Sequence, residues 1–232
     1  RPWRNVVMAE TAGPIITIDG PAGVGKSTIS RKVAARYGYT YLDTGAMYRA
    51  VAWYLVEHGI DIDNIADVES VLDDITITLL PAKKEGDDVG VLLNGENISA
   101  QIRTPEISMI ASTVSALPAV REKLTAMQRQ IGAQGCVVAE GRDTGTVVFP
   151  GASNKFYLDA RPEARAGRRA LQLRERGESV DEEKLLEMTI TRDKQDSERE
   201  IAPLKKADDA VLVDTTDLTA DQVFKAITEL ID

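Results

Sequence analysis

The residues best suited to chemistry form one run early in the chain, GPAGVGKS at positions 20–27. Two glycines separated by four residues are followed by a lysine and a serine, which is the phosphate-loop pattern. Glycines let successive backbone N–H groups converge on one anion. The lysine can then reach outer phosphates, and the serine hydroxyl can ligate Mg²⁺. We therefore predict a phosphate site at Gly20, Pro21, Ala22, Gly23, Val24, Gly25, Lys26 and Ser27.

A second concentration of charge lies late in the chain, where arginines recur at helical spacing. Arg165, Arg168 and Arg169 would share one side of a helix and could face phosphate. The next helix would project Arg192, Asp196 and Arg199 together. A solvated helix face with weak ion pairs is the ordinary alternative, but the phosphate loop in the same chain favours phosphate binding. The remaining members of the arginine-rich run are Arg161, Arg174 and Arg176.

These side chains need a scaffold, and the apolar runs predict one. Strands are expected at 15–19, 39–43, 136–140, 155–159 and 210–214, with helices between them. Alternating strands and helices imply right-handed crossovers and a parallel sheet. Ligands then bind at the carboxyl ends of the strands, which is where the phosphate loop and Glu140 would lie.

The middle of the chain changes character. A helix is expected at 64–74, and β-rich runs at 75–80 and 89–93 are separated by the polar stretch 83–88. Asn94 and Gly95 form a strong hairpin signal before 96–99. We predict a small antiparallel insertion, followed by helices from Pro105 onward. The final helix should open with Thr219 and Gln222 in capping-box spacing and bury Val223, Ile227 and Leu230.

Composition limits the classes of partner. The net charge of −9 argues against nonspecific nucleic-acid binding, and no apolar run is long enough to span a membrane. Cys136, the single cysteine, is expected to be a buried thiol in a reducing cytoplasm. His58 is expected to end a helix. Residues 1–7 fit no element, and we expect a frayed or non-native terminus there.

Four segments together resemble bacterial cytidylate kinases. They are 18–28, including Thr28, then 42–49, then 141–150, and finally 192–199 with Ala202, Pro203 and Leu204. They occur in the family's order, and the resemblance extends from about residue 14 to the C-terminus. It implies a P-loop α/β fold with a parallel sheet, flanking helices, a small antiparallel insertion and a helical lid.

The resemblance also implies an organisation and a reaction. The P-loop core would comprise 14–42, 134–160 and 200–232, and the lid 161–199. The monophosphate-binding region would span 43–133, with the insertion near 62–104. The enzyme would transfer the γ-phosphoryl group of ATP to CMP or dCMP with Mg²⁺, in pyrimidine nucleotide metabolism. A cytoplasmic monomer is the default expectation, since the sequence shows no evident oligomerisation motif, and the charge and hydropathy noted above predict neither nucleic acid nor membrane as a partner.

Residue roles follow from the same resemblance. Lys26, Arg142, Arg192 and Arg199 would be catalytic, Thr28 and Arg168 would join the phosphate loop in binding ATP, and Ser27 with Glu140 would hold the metal. Ser112, Arg121 and Asp143 would read cytosine, while Arg49 would hold the α-phosphate and Asp196 with Arg192 would reach the sugar and neighbouring phosphate. The full monophosphate site would comprise Thr44, Arg49, Ser112, Arg121, Arg142, Asp143, Arg192, Asp196 and Arg199.

Non-functional roles remain open for three single positions, and two other activities remain open for the protein. Arg49 could be merely exposed, Ser112 could bond only to its own helix, and Glu140 could be a strand-end acid without a metal contact. A different P-loop small-molecule or nucleotide kinase would keep the loop and lid but change the base-reading residues. A regulatory P-loop switch would bind nucleotide without transferring phosphate, although the arginines outside the loop favour a second phosphorylated substrate.

Overall fold

The computed structural model describes residues 13–82, 87–175 and 177–231. Its regular elements alternate along the chain as the sequence predicts. They are, in order, β1 Ile15–Asp19, α1 Lys26–Tyr37, β2 Thr40–Asp43, α2 Thr44–Glu57, α3 Ile65–Val71, β3 Ile77–Leu80, β4 Gly90–Leu93, β5 Glu96–Asn97, α4 Pro105–Val114, α5 Pro118–Gly132, β6 Val137–Gly141, β7 Asn154–Asp159, α6 Pro162–Glu175, α7 Glu182–Glu198, β8 Val211–Asp214 and α8 Ala220–Ile231.

Five of the strands form a parallel sheet in the order β2-β6-β1-β7-β8. The two strands at its centre are buried along their full length because both faces of the sheet are covered by helices. Ile18 pairs with Glu140, and Asp43 pairs with the same residue from the other side. The register thus brings the ends of β1, β2 and β6 to one edge.

Two apolar clusters pack helices against the two faces of this sheet. One includes Leu42, Met47 and Leu55 and continues into the insertion, and the other packs α1 and α8 against the opposite face. The predicted capping box of α8 is confirmed, since Thr219 N donates to Gln222 Oε1 and Gln222 N donates to Thr219 Oγ1. His58 is the C-cap of α2, as predicted.

The insertion is a separate three-stranded antiparallel sheet in the order β3-β4-β5. Asn94 and Gly95 both have positive φ values, 49° and 86°, as the hairpin signal requires. The predicted helix is α3 continued by a 3₁₀ turn, Leu72–Asp74. Asn64 caps α3 by accepting from the Asp67 N–H. Among the described residues, no helix is long and apolar enough to cross a membrane.

Two predictions about burial are wrong. Cys136 is exposed, because the chain makes a left-handed turn there, at φ 53°, before β6 begins at Val137. Leu230 is 54% exposed, although Val223 and Ile227 are buried as expected, because the last turn of α8 turns Ile231 rather than Leu230 toward the core cluster. The expectations for residues 1–7, 83–86 and Arg176 fall outside the described residues.

Candidate active site

The phosphate loop connects β1 to α1 at the carboxyl end of the sheet. Gly20 has φ 152°, and a Cβ built there would lie 2.1 Å from the Leu158 carbonyl oxygen, so only glycine fits. The Ala22 carbonyl accepts from Arg165 Nη1 at 3.0 Å, and the Val24 carbonyl accepts from Thr215 Oγ1 at 3.3 Å. These bonds fix the loop backbone, while Thr28 lies exposed in the first turn of α1.

Lys26 is folded back into the loop. Its ammonium donates to the Pro21 carbonyl at 2.6 Å, and the residue is only 8% exposed. Burial, with a further contribution from the Arg142 charge, lowers the pKa of Lys26 well below its usual range. A polyanionic phosphate beside this ammonium would favour its charged form, so the site is electrostatically suited to such a ligand.

Ser27 and Glu140 meet beside the loop. The Ser27 hydroxyl donates to Glu140 Oε1 at 2.7 Å, and the Tyr41 hydroxyl donates to the same oxygen at 2.8 Å. Glu140 Oε2 is buried and has no hydrogen-bond partner among the described residues. Burial, followed by the neighbouring Asp43 charge, raises the pKa of Glu140.

This pair fits a hydrated Mg²⁺. A hydroxyl oxygen and one free carboxylate oxygen are hard ligands, and Mg²⁺ sites commonly use one or two protein ligands and complete the shell with water and substrate phosphates. A bound cation would also favour ionised Glu140 and give its orphan oxygen a partner. No group of three or more His, Cys, Asp or Glu suited to a metal occurs in the described part of the chain.

A second centre forms around Asp196 on α7. Its carboxylate accepts from Arg142 Nε at 2.8 Å and from the Ser112 hydroxyl at 3.1 Å. Burial alone would raise the pKa of Asp196, but the charge and hydrogen bond of Arg142, together with the Arg192 and Arg199 charges, outweigh it and the pKa is lowered. Burial and the nearby Arg142 lower the pKa of Arg192 to about 10, and its Nε has no hydrogen-bond partner among the described residues. Arg192 is therefore positioned to gain from an anion.

A third centre forms around Asp143. Its two oxygens face different arginines: Arg121 Nη2 donates to Oδ2, and Arg199 Nη2 lies 3.5 Å from Oδ1. Arg121 also donates to the Ser115 carbonyl at 2.8 Å, and its guanidinium lies over the Tyr48 ring, 5.3 Å from the centroid. The side chains of Arg121 and Asp143 are at most 7% exposed. The cluster presents both donor and acceptor groups.

Thr44 and Arg49 border the same edge of the sheet at the start of α2. The Thr44 hydroxyl donates to the Glu140 carbonyl at 2.7 Å. Arg49 Nη2 donates to Asp43 Oδ2 at 3.2 Å, and the Arg49 side chain is 22% exposed. Asp43 also caps α2 by accepting from the Ala46 N–H. Arg49 is thus held at the rim of the site.

The arginines of α6 bind protein groups. Arg165 donates to the Ala160 and Ala22 carbonyls and pairs with both oxygens of Asp193 on α7. Arg168 donates to Thr215 and to the Thr216 carbonyl. Arg169 contacts only Gln172 of its own helix among its recorded hydrogen bonds. Arg165 and Arg168 therefore connect the helical hairpin α6–α7 to the core.

Comparison with known proteins decides the family. The family profile described as "Cytidylate kinase" matches residues 16–232. The chain belongs to the cytidylate kinase family. A relative named cytidylate kinase from Geobacter sp. strain M21 is 47% identical over 213 residues, covering 92% of this chain and 90% of that protein. Another, from Nitratidesulfovibrio vulgaris, is 49% identical over 214 residues, covering 92% and 90%.

Two further matches complete the comparison. A bifunctional pantoate ligase/cytidylate kinase from Synechococcus sp. strain WH7803 is 46% identical over 225 residues, which cover 97% of this chain and 46% of that protein. A gluconokinase structure from Sinorhizobium meliloti 1021 aligns with TM-score 0.48 and 15% identity, covering 96% of this chain and 94% of that one. The family profile and the relatives named cytidylate kinase confirm the predicted family and enzyme class.

Sequence reasoning missed four residues that contact the candidate site. The expected strands 15–19 and 39–43 contain Asp19, Tyr41 and Asp43, and Tyr48 lies in the motif segment 42–49, but those positions alone predict no role in the site. Each contacts a predicted site residue or its loop. The parallel register of β1, β2 and β6 could have identified Asp19 and Asp43, because each ends its strand at the sheet edge where Glu140 lies.

Proposed function

We propose that this member of the family binds ATP at the phosphate loop and CMP or dCMP at the Asp196 and Asp143 centres, and transfers the γ-phosphoryl group between them. One observation carries the assignment: three half-buried arginines, Arg142, Arg192 and Arg199, gather around Asp196 beside the phosphate loop, near enough for the Arg142 and Arg192 charges to act on Lys26. Two phosphate-binding sets in one cleft fit a donor and an acceptor that are both phosphorylated.

The Asp143 centre supplies the recognition of cytosine. A carboxylate has about four acceptor positions, so Asp143 can accept from the cytosine amino group while it stays paired with arginines. Arg121 can donate to the ring nitrogen and carbonyl. Uracil has a carbonyl where cytosine has the amino group, and this oxygen would face the carboxylate. The mispairing favours cytosine.

Neighbouring groups would bind the sugar and the acceptor phosphate. Ser112 donates to Asp196, which joins the predicted base site to the predicted sugar site. Arg49 at the rim and Arg192 beside Asp196 would hold the α-phosphate and its neighbour. In both cases a guanidinium can bind a phosphate in a bidentate fashion. Thr44 would line the same part of the site.

Catalysis then depends on alignment and charge. An oxygen of the CMP phosphate attacks the γ-phosphorus in line, a new P–O bond forms, and the bond to the departing ADP breaks. The acceptor is already ionised, so no general base is needed. Lys26 and the arginines stabilise the charge on the transferring group and the leaving ADP. Mg²⁺ held by Ser27, and through water by Glu140, would neutralise further phosphate charge.

Residues 161–199 would act as the lid over this cleft. The hairpin α6–α7 carries Arg192 and Arg199 into the site, and Arg165 contacts the phosphate loop from its base. Movement of the hairpin would exclude water and bring the arginines onto the phosphates. Two parts would stay in place on either side of the cleft. They are the core, 14–42 with 134–160 and 200–232, and the monophosphate-binding region, 43–133.

The deciding experiment is ADP release from Mg²⁺ATP with single acceptors. CMP, dCMP, UMP, AMP, GMP and shikimate are tested separately, and we expect release chiefly with CMP and dCMP. Release with another acceptor would keep the kinase but discard the cytosine site. If none of these acceptors increases ADP release, the result would favour a nucleotide-binding switch.

The cellular setting is part of the same proposal. We expect a monomer working in the cytoplasm, where a reducing environment keeps the exposed Cys136 as a thiol. Sedimentation velocity with and without nucleotides tests the oligomeric state. A concentration-dependent dimer would contradict it.

A further inference from the structure

Asp19 is a buried carboxylate at the junction of two loops. It is the last residue of β1, directly before Gly20 of the phosphate loop, and it is only 4% exposed. Its Oδ1 accepts from the Thr144 N–H at 2.9 Å and from the Thr144 hydroxyl at 2.7 Å, and its Oδ2 accepts from the Gly145 N–H at 2.7 Å. Three donors satisfy one carboxylate.

These donors belong to the loop that carries Asp143. Thr144 and Gly145 immediately follow Asp143 and begin a wide helical turn, Thr144–Val148. A Cβ built on Gly145 would lie 2.9 Å from Thr17 Oγ1, so the turn packs tightly on β1. The position of Asp143 is thereby defined from the strand that leads into the phosphate loop.

The other side-chain contacts of the turn lie away from Thr144 and Gly145, which Asp19 holds. Arg129 donates to the Val147 and Val148 carbonyls at the far end of the turn. Arg121 and Arg199 approach the Asp143 side chain itself. Neither set restrains the backbone at Thr144 and Gly145, where Asp19 binds two consecutive N–H groups. Burial raises the pKa of Asp19 and the three donors oppose that rise.

We propose that Asp19 is a positioning residue for base selection: by holding the backbone of Thr144 and Gly145, it sets the orientation in which Asp143 meets the cytosine amino group. The inference rests on the proposed cytosine site. It assigns to the end of β1 a role in recognising the acceptor, in addition to its place beside the ATP phosphates. Asp19 acts through Asp143 and does not touch the base.

The test is the ratio of kcat/KM for CMP to kcat/KM for UMP in Asp19→Asn. The substitution keeps the shape of the side chain but replaces one carboxylate oxygen with an NH₂ group. The NH₂ group faces a donor and cannot accept its hydrogen bond, so one of the three bonds is lost. We expect the ratio to fall about tenfold, the effect of losing one charge-assisted hydrogen bond. We also expect the KM for CMP to rise more than the KM for ATP.

Thr17→Val is the matched control. Thr17 is fully buried on the same strand, and its hydroxyl has no hydrogen-bond partner among the described residues. Valine has the same shape, so this variant should keep both the selectivity and the KM values of the unaltered enzyme. A general effect of disturbing β1 would alter both variants.

Thr144→Val keeps the inference testable if Asp19→Asn does not fold. It removes only the hydroxyl donor, and we expect the CMP to UMP ratio to fall about threefold. A merely structural role would lower kcat/KM for both acceptors equally, and an unchanged ratio in a folded variant overturns the inference alone. An unaltered enzyme that does not prefer CMP to UMP overturns the cytosine site, and the inference with it.

Discussion

Ser27 on α1 and Glu140 on β6 are 113 residues apart in the chain and are joined by a hydrogen bond of 2.7 Å. The serine hydroxyl uses its proton in this bond, which leaves its oxygen lone pairs for a metal ion. Glu140 uses Oε1 for Ser27 and Tyr41 and keeps Oε2 unpartnered within the described structure. The pair is thus arranged for a cation before one binds.

Tyr41→Phe tests this arrangement. Burial, with the adjacent Glu140 charge, raises the pKa of Tyr41 well above its usual range, so its hydroxyl stays protonated and donates. Without that donor the carboxylate is less restrained, and we expect Mn²⁺ to bind the enzyme–ATP complex about three- to tenfold more weakly. Electron paramagnetic resonance of free Mn²⁺ measures this directly. Tyr39→Phe is the control, and equal Mn²⁺ affinity in both variants would contradict the role of Tyr41.

Lys26→Ala should abolish most of the activity. The ammonium is the loop's only side-chain cation, and its removal takes charge stabilisation from the transferring group, so kcat/KM should fall at least about 100-fold. Lys32→Ala on the same helix removes an exposed lysine paired with Asp221 and should leave steady-state rates unchanged. Full activity in Lys26→Ala would refute the mechanism.

Asp143 variants should separate base selection from stability. Asp143→Ala should relax the preference for CMP over UMP, and it also leaves buried Arg121 without its carboxylate. Breaking such a pair costs about 3–5 kcal/mol, or roughly 6–20 °C in Tm for a chain of this size. Asp143→Asn keeps the volume and should lose less stability while still losing selectivity. Acceptor kinetics and calorimetry check the two effects, and undiminished selectivity in both variants would exclude Asp143 as a base reader.

Asp196 predicts a pH-dependent difference in stability. Its pKa is lowered in the folded protein because the contributions of Arg142, Arg192 and Arg199 together outweigh burial. A lowered carboxyl pKa contributes stability above the unfolded-state value of about 3.9 and loses it as pH falls through the folded-state value. Asp196→Asn should therefore melt about 4–8 °C lower at pH 7, and the gap should close below about pH 4.

Thermal scans from pH 3 to pH 8 measure this gap. Asp208→Asn, which removes an exposed carboxylate outside the site, is the control for the loss of a carboxylate as such. A gap for Asp196→Asn that stays constant down to pH 3 would show that the contribution does not depend on ionisation of Asp196.

The sheet and the phosphate loop could be predicted because local sequence determines them. Apolar runs such as 15–19 must be buried on both faces, and the loop pattern needs a strand before it and a helix after it. Cys136 shows the limit of this reasoning. It extends the apolar run Val137–Ala139, yet the left-handed backbone at Gly135 and Cys136 turns it outward, and periodicity carries no signal for such a turn.

The partners of the arginines could not be predicted, because they depend on contacts between distant segments. Spacing placed Arg165 and Arg168 on one helix face, but it could not show that the Ala22 carbonyl, Asp193 and Thr215 occupy them. Asp43 was assigned to the end of a strand, whereas its carboxylate both caps α2 and pairs with Arg49. Such double use follows from the three-dimensional arrangement alone.

The exposed thiol of Cys136 provides an experimental handle. It is the single cysteine of the chain and directly precedes β6, whereas Glu140 lies toward the other end of that strand, about 13 Å along it. A fluorophore attached there would sit on the core, away from the substrates, and the sequence holds no other cysteine to remove. Paired with one introduced cysteine on α7, it would let single-molecule energy transfer follow the hairpin as each nucleotide binds.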